Sequence, residues 1–236
     1  MAHTAITALV GGEVSIATTA EISSTSSAIA TYQVPGYLVA FEFTASYAEY
    51  GRAVAADLGI QLTDAFTFQS GQILIGSGVQ LWAESDETGK PFTSKLSIAT
   101  WEGENYSLHT HAYELDPLRL VGVLDAFRIE EHATGLTMTP QDPKATLPAI
   151  DPTVLQELTG VALLQIHPRT AARENDLPAR AGTRVRGGDL YVDRSEDADS
   201  YILVGATTDT RILVDDGCHD DTLLDALGSL EVSWGS

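Results

Sequence analysis

The sequence predicts a mainly β fold, sandwich-like or jelly-roll-like with a few short helices, and an α+β arrangement is the alternative. Three observations carry this reading. Apolar residues alternate with polar ones or gather in short β-branched runs along most of the chain, and Gly, Pro, Asn or Asp bound these runs. Helical spacing is confined to short segments. Of the 236 residues 44% are apolar, enough to bury a core in one large domain or two modest ones.

Strand patterns fall, in order, at residues 4–10, 13–19, 28–34, 37–44, 65–68, 72–75, 79–84, 92–101, 106–113, 127–131 and 135–139. The remainder lie at 161–166, 183–186, 190–192, 201–206 and 211–214. The polar stretch 85–91 contains Gly89 and Pro91 and reads as an exposed hairpin loop. A helix is expected over 47–58, where Tyr50, Val54 and Leu58 recur at spacing four and Gly59 supplies a left-handed C-terminal residue. Three further segments, opening at Asp116, Asp151 and Asp220, share a pattern of an N-capping Asp, a short apolar helix and then a strand. In the first two, Pro117 and Pro152 occupy the first helical position, where no N–H is needed. The likeness among the three reads either as a degenerate repeat or as coincidence.

Four of nine prolines lie between Pro140 and Pro152, which rules out a central strand or a long helix there. The expected organisation is therefore a β-rich domain over 1–139, a Pro-rich linker or crossover over 140–152, and a smaller β-rich region with short helices over 153–236. One continuous domain is the other possibility.

Thirty-three acids against thirteen bases give a formal charge of -20, spread along the chain and not gathered in a tail. Such a surface repels phosphate and argues against general nucleic-acid binding. Only three bases are lysine, and the composition resembles that of halophile proteins, where salt screens self-repulsion. A single cysteine, Cys218, excludes an internal disulfide and a CxxC metal or redox site. No transmembrane segment and no recognisable signal peptide are expected, which leaves a virion or the cytoplasm as the location.

Candidate chemistry is sparse. His109 and His111 alternate on a strand and share one face, so together they can reach one metal. With Glu114, the segment 103–114 resembles the first metal-binding motif of the cupin family. That resemblance implies a double-stranded β-helix and a His109/His111/Glu114 site for a divalent metal; the competing reading is strand histidines at a surface or interface. Asp215, Asp216, Asp220 and Asp221 surround a Gly turn and offer hard oxygen ligands to a cation, or simply form a hydrated turn in which Asp220 caps a helix. The acidic run 193–199 reads the same way. Cys218 beside His219 lacks an orienting third group for nucleophilic catalysis. Glu102 and Glu104, with Trp101 or Trp82 as a stacking platform, suggest a carboxylate pair facing a glycan. Gly76-Ser-Gly78 is not a nucleophile elbow, and no phosphate-cradling Gly motif occurs. Finally, Arg169, Arg173, Arg180, Arg184 and Arg186 form a local basic patch suited to docking an acidic neighbouring subunit, or to pairing within the chain.

The expectation is thus a non-enzymatic structural or assembly subunit of a large particle, a virion or capsid protein of a halophilic host, with protein subunits as homo- or hetero-oligomeric partners and no cofactor. The alternative is a cupin-like metal-dependent enzyme or a ligand-binding β-sandwich.

Overall fold

The computed structural model describes residues 1–85, 91–147, 152–170, 182–193, 200–218 and 220–235. Among these the chain is mainly antiparallel β, sandwich-like, with three short helices, as the sequence predicts. It divides into two compact units, Met1–Ile29 with Asp151–Ser236, and Ala30–Ile150. The second boundary falls inside the expected Pro-rich stretch. The first 29 residues, however, belong with the C-terminal part, because their strands pair there.

In the first unit β1 (Ala2–Thr7) forms a hairpin with β2 (Glu13–Thr18), closed through Gly11 and Gly12 at φ 89° and 85°. Both angles lie in the left-handed region that favours glycine. The outer edge of β2 pairs with β17 (Glu231–Gly235). The larger sheet begins with the early residues of β3 (Ile22–Gln33), followed by β11 (Thr153–Leu158) and β12 (Ala162–Pro168). It continues through β16 (Thr208–Val214), β15 (Ser200–Val204), β14 (Gly188–Asp193) and β13 (Thr183–Val185). Helix α3 (Asp220–Ser229) is tied to the end of β2 by the Ser229 hydroxyl, which accepts from the Thr19 N–H at 2.9 Å.

Residues 153–158 correct one expectation. They form a strand, although Asp151-Pro152 was expected to open a helix. The Gln156 side chain, 2% exposed, donates to the carbonyls of Ser23 and Thr25 and locks β11 onto β3. A buried amide so satisfied favours sheet pairing over the helical alternative. With the second of the three Asp-led segments extended, the suggested repeat has no structural counterpart.

The second unit is built on a meander. β4 (Ala40–Tyr47) pairs with β8 (Tyr106–Tyr113), then come β7 (Pro91–Glu102), β6 (Gly71–Ser85) and β5 (Leu62–Phe68). The hairpin of β9 (Phe127–His132) and β10 (Gly135–Pro140) packs on this sheet through edge-to-face rings. Phe127 lies 4.8 Å from Tyr32 and 5.3 Å from Phe43, centroid to centroid. Helix α2 (Pro117–Leu124) follows the sequence closely: Asp116 caps it by accepting from the Leu118 N–H at 2.9 Å. Helix α1 (Tyr50–Asp57) is shorter than expected and ends before Gly59, whose φ is 67°.

Strand β7 is buried on both faces. Leu96 and Ile98 join Ala55 and Ile60 in a cluster under α1. On the opposite face Trp101 is fully buried and its Nε1–H donates to the Phe68 carbonyl at 3.2 Å. The indole fits because Gly71 and Gly103 lack side chains. A Cβ on Gly71 would stand 2.6 Å from Trp101 and overlap the Glu102 carbonyl oxygen, and one on Gly103 would stand 2.7 Å from the indole.

Replacing Gly71 by Ala is therefore expected to destabilise the protein by about 1–3 kcal/mol through overpacking. Gly122→Ala in α2, where an added Cβ meets nothing closer than 3.9 Å, is expected to be neutral or to stabilise by up to about 1 kcal/mol. Urea denaturation of the two variants checks the contrast.

Candidate functional site

His109 and His111 do share a face of β8, as period two requires, and the fold gives them neighbours the sequence does not announce. Thr44 of β4 and Thr100 of β7 flank His109 in register. Glu42 lies two residues before Thr44 on the same face of β4. Helix α1 crosses above, and its Tyr50, Val54 and Leu58 stripe closes a cavity of about 200 Å3 over Glu42, Thr44, Leu96, His109, His111 and Tyr113. The helix can sit this low because Gly51 rests on Thr100: a Cβ there would overlap the threonine side chain.

Aromatic rings form a row along the cavity. Tyr50 meets His109 edge-on at 6.4 Å, His109 stacks on His111 at 5.7 Å, and His111 meets Tyr113 edge-on at 6.3 Å. His109 is 5% exposed; its Nδ1 is 3.4 Å from the Thr100 hydroxyl, and its Nε2 has no partner among the described residues. Burial above all, with His111 adding to it, pushes the His109 imidazole down to a pKa of about 4, so it is neutral at physiological pH. Burial, then Tyr47, then Glu42 raise the Tyr50 hydroxyl, which stays protonated.

Glu114 does not join the two histidines. Its backbone turns left-handed at φ 55°, and its carboxylate accepts from the Lys95 N–H at 2.8 Å. Among the described residues no group of three His, Cys, Asp or Glu side chains is placed to hold a metal. The His109/His111/Glu114 arrangement that the cupin resemblance implies is thus not assembled among the described residues, because Glu114 lies an odd number of residues from both histidines and its side chain caps the Lys95 N–H instead.

The other expected sites fare as follows. Glu102 is clamped by Arg52 through two bonds of 2.6 and 2.7 Å, and Glu104 lies beyond the strand end in a turn. The two carboxylates do not pair across a substrate, and Trp101 is buried where no sugar can stack on it. The side chain of Trp82 lies outside the described residues. Asp215 and Asp216 sit in a turn in which the Asp215 carbonyl accepts from the Cys218 N–H at 3.1 Å, with Gly217 at φ 85°. Asp220 and Asp221 open α3, the side chain of Asp220 being outside the described part, as are His219 and residues 194–199.

Arg173 and Arg180 are also outside it. The remaining arginines of the basic patch have partners within the first unit: Arg169 donates to the Gly205 carbonyl at 2.9 Å, Arg184 pairs with Asp189 at 3.2 Å, and Arg186 pairs with Glu231. Their described contacts are those of an intrachain scaffold.

A larger groove, about 690 Å3, runs beside Gln69, Glu104, Asn105, Arg128, Glu131 and His132. Its polar groups are occupied by the chain itself. Glu131 accepts from the backbone N–H groups of Glu104 and Asn105 at 2.8 and 2.7 Å, Arg128 pairs with Glu130, and His132 bonds Thr137. The cavity at His109 is different in kind, because there a buried ring nitrogen is left without a partner.

No family model, curated protein or solved structure matches this chain. Its chemistry has to be read from the residues. No helix among those described is long and apolar enough to cross a membrane.

The depressed His109 pKa has a measurable consequence. The unfolded chain takes up a proton at the ordinary histidine pKa of about 6.5, whereas the folded one resists it down to about 4. Stability is therefore fully present above pH 6.5 and is lost as the pH falls toward 4. The loss attributable to this group is about 3 kcal/mol. Denaturation at pH 7 and pH 4 should show the wild type losing more stability than His109→Leu by about that amount, since carboxylate contributions are common to both.

Proposed function

We propose that the chain is a non-enzymatic structural subunit that assembles into a large particle, of the kind that forms a virion shell in a high-salt host. The observation that carries this reading is a bare β-ribbon. β5 pairs with β6 only as far as Gly76, and β8 pairs with β7 only from Leu96 onward. Beyond those points Val79, Gln80 and Leu81 pair, among the described residues, only with Lys95, Ser94 and Thr93 of the same hairpin. Val79 and Leu81 share one face and are 71% and 66% exposed.

A two-stranded ribbon standing alone in water is marginal, and apolar side chains on it gain nothing until another surface covers them. A neighbouring subunit supplies such a cover. The segment is also close to neutral in an acidic chain: residues 79–95 carry Glu84, Asp86 and Glu87 against Lys90 and Lys95, two of only three lysines. Like-charge repulsion between copies is therefore low where they would touch. Salt that screens the remaining acids favours association further.

Light scattering and electron microscopy in dilute and molar sodium chloride test this directly. Oligomers or particles are expected in molar salt, and Val79→Asp combined with Leu81→Asp is expected to return the protein to monomers with its melting temperature unchanged. A wild-type chain that stays monomeric at every salt and protein concentration overturns the proposal.

A further inference from the structure

Beside an assembly role, and independent of it, we propose that the cavity between α1 and the β4–β8 face is a binding site for a small organic ammonium ion, a charged amine on a short apolar or aromatic body. The polar end of the site is defined by the His109 Nε2, buried and without a partner among the described residues. When Nδ1–H donates to the Thr100 hydroxyl, 3.4 Å away, Nε2 presents a lone pair, which an ammonium N–H satisfies. A buried acceptor left unpaired is costly, so a ligand donor there has a standing advantage.

The sign of the ligand charge follows from the lining. Glu42 is the only carboxylate among the nine described lining residues, and none of them is Lys or Arg. His109 stays neutral, for the reason given above, and adds no positive charge. Tyr50 and Tyr113 bring to the lining the aromatic rings to which organic cations are attracted. With a net charge of -20 behind it, the site repels anions at long range. The apolar body of the ligand is met by Val54, Leu58 and Leu96. A bare metal ion is a poorer match, since among the described residues neither Glu42 nor any other His, Cys, Asp or Glu is placed to complete a three-ligand group with the two imidazoles.

The test uses the full chain with benzylammonium, its neutral isostere benzyl alcohol, and zinc chloride alone, read by the imidazole nitrogen resonances of His109 and His111 and by calorimetry. Benzylammonium at millimolar concentration is expected to shift both histidines and to bind about tenfold more tightly than benzyl alcohol. Glu42→Gln, an exposed substitution, should abolish that preference while leaving the melting temperature unchanged. Equal binding of the alcohol and the ammonium, no shift with either, a preference that survives Glu42→Gln, or a shift with zinc alone each overturns the proposal.

Discussion

The second unit is organised by one buried indole. Trp101 can occupy the inner face of β7 only because two chain reversals, at Gly71 and Gly103, present no side chain to it. Its N–H reaches the Phe68 carbonyl and so also fixes where β5 hands over to β6. Once that residue is set inward, alternation turns Leu96, Ile98 and Thr100 toward α1. A slip of a single residue would exchange the two faces and bring the indole out under the helix. The position of His109, opposite Thr100, is inherited from this register.

Much of this architecture can be read from local pattern. Strand β8 has the bounds that its alternation gives, and α2 begins at the Asp116-Pro117 pair that capping chemistry requires. Two elements hide. The start of β3 is a run of Ser and Thr with no apolar face to betray it, and it becomes a strand through pairing with β11 and the buried Gln156 amide. β11 itself begins like a helix, with Asp before Pro, but Thr153 and Val154 are β-branched and the tertiary partner decides.

The histidine cavity was half legible. Period two places His109 with His111, and spacing four aligns Tyr50 with Val54 and Leu58, yet nothing local says that the helix stripe lies over that strand face. Glu42 was invisible for the same reason: it reaches the histidines through a strand pairing between distant segments. Trp101 was misjudged because an aromatic residue on a strand looks alike from sequence whether it faces solvent or core. For the basic stretch the sequence left docking and pairing within the chain both open; Asp189, Glu231 and the Gly205 carbonyl, all from later in the chain, supply the pairing, while Arg184 and Arg186 keep their exposure.

The contact between Gly51 and Thr100 also sets a dimension. Because the helix main chain at Gly51 rests on the short, β-branched side chain of Thr100, the height of the cavity is set by a residue with little rotamer freedom. A larger side chain at position 51 would lift α1 and deepen the cavity, so the glycine sets the size of guest that the space beneath the helix admits.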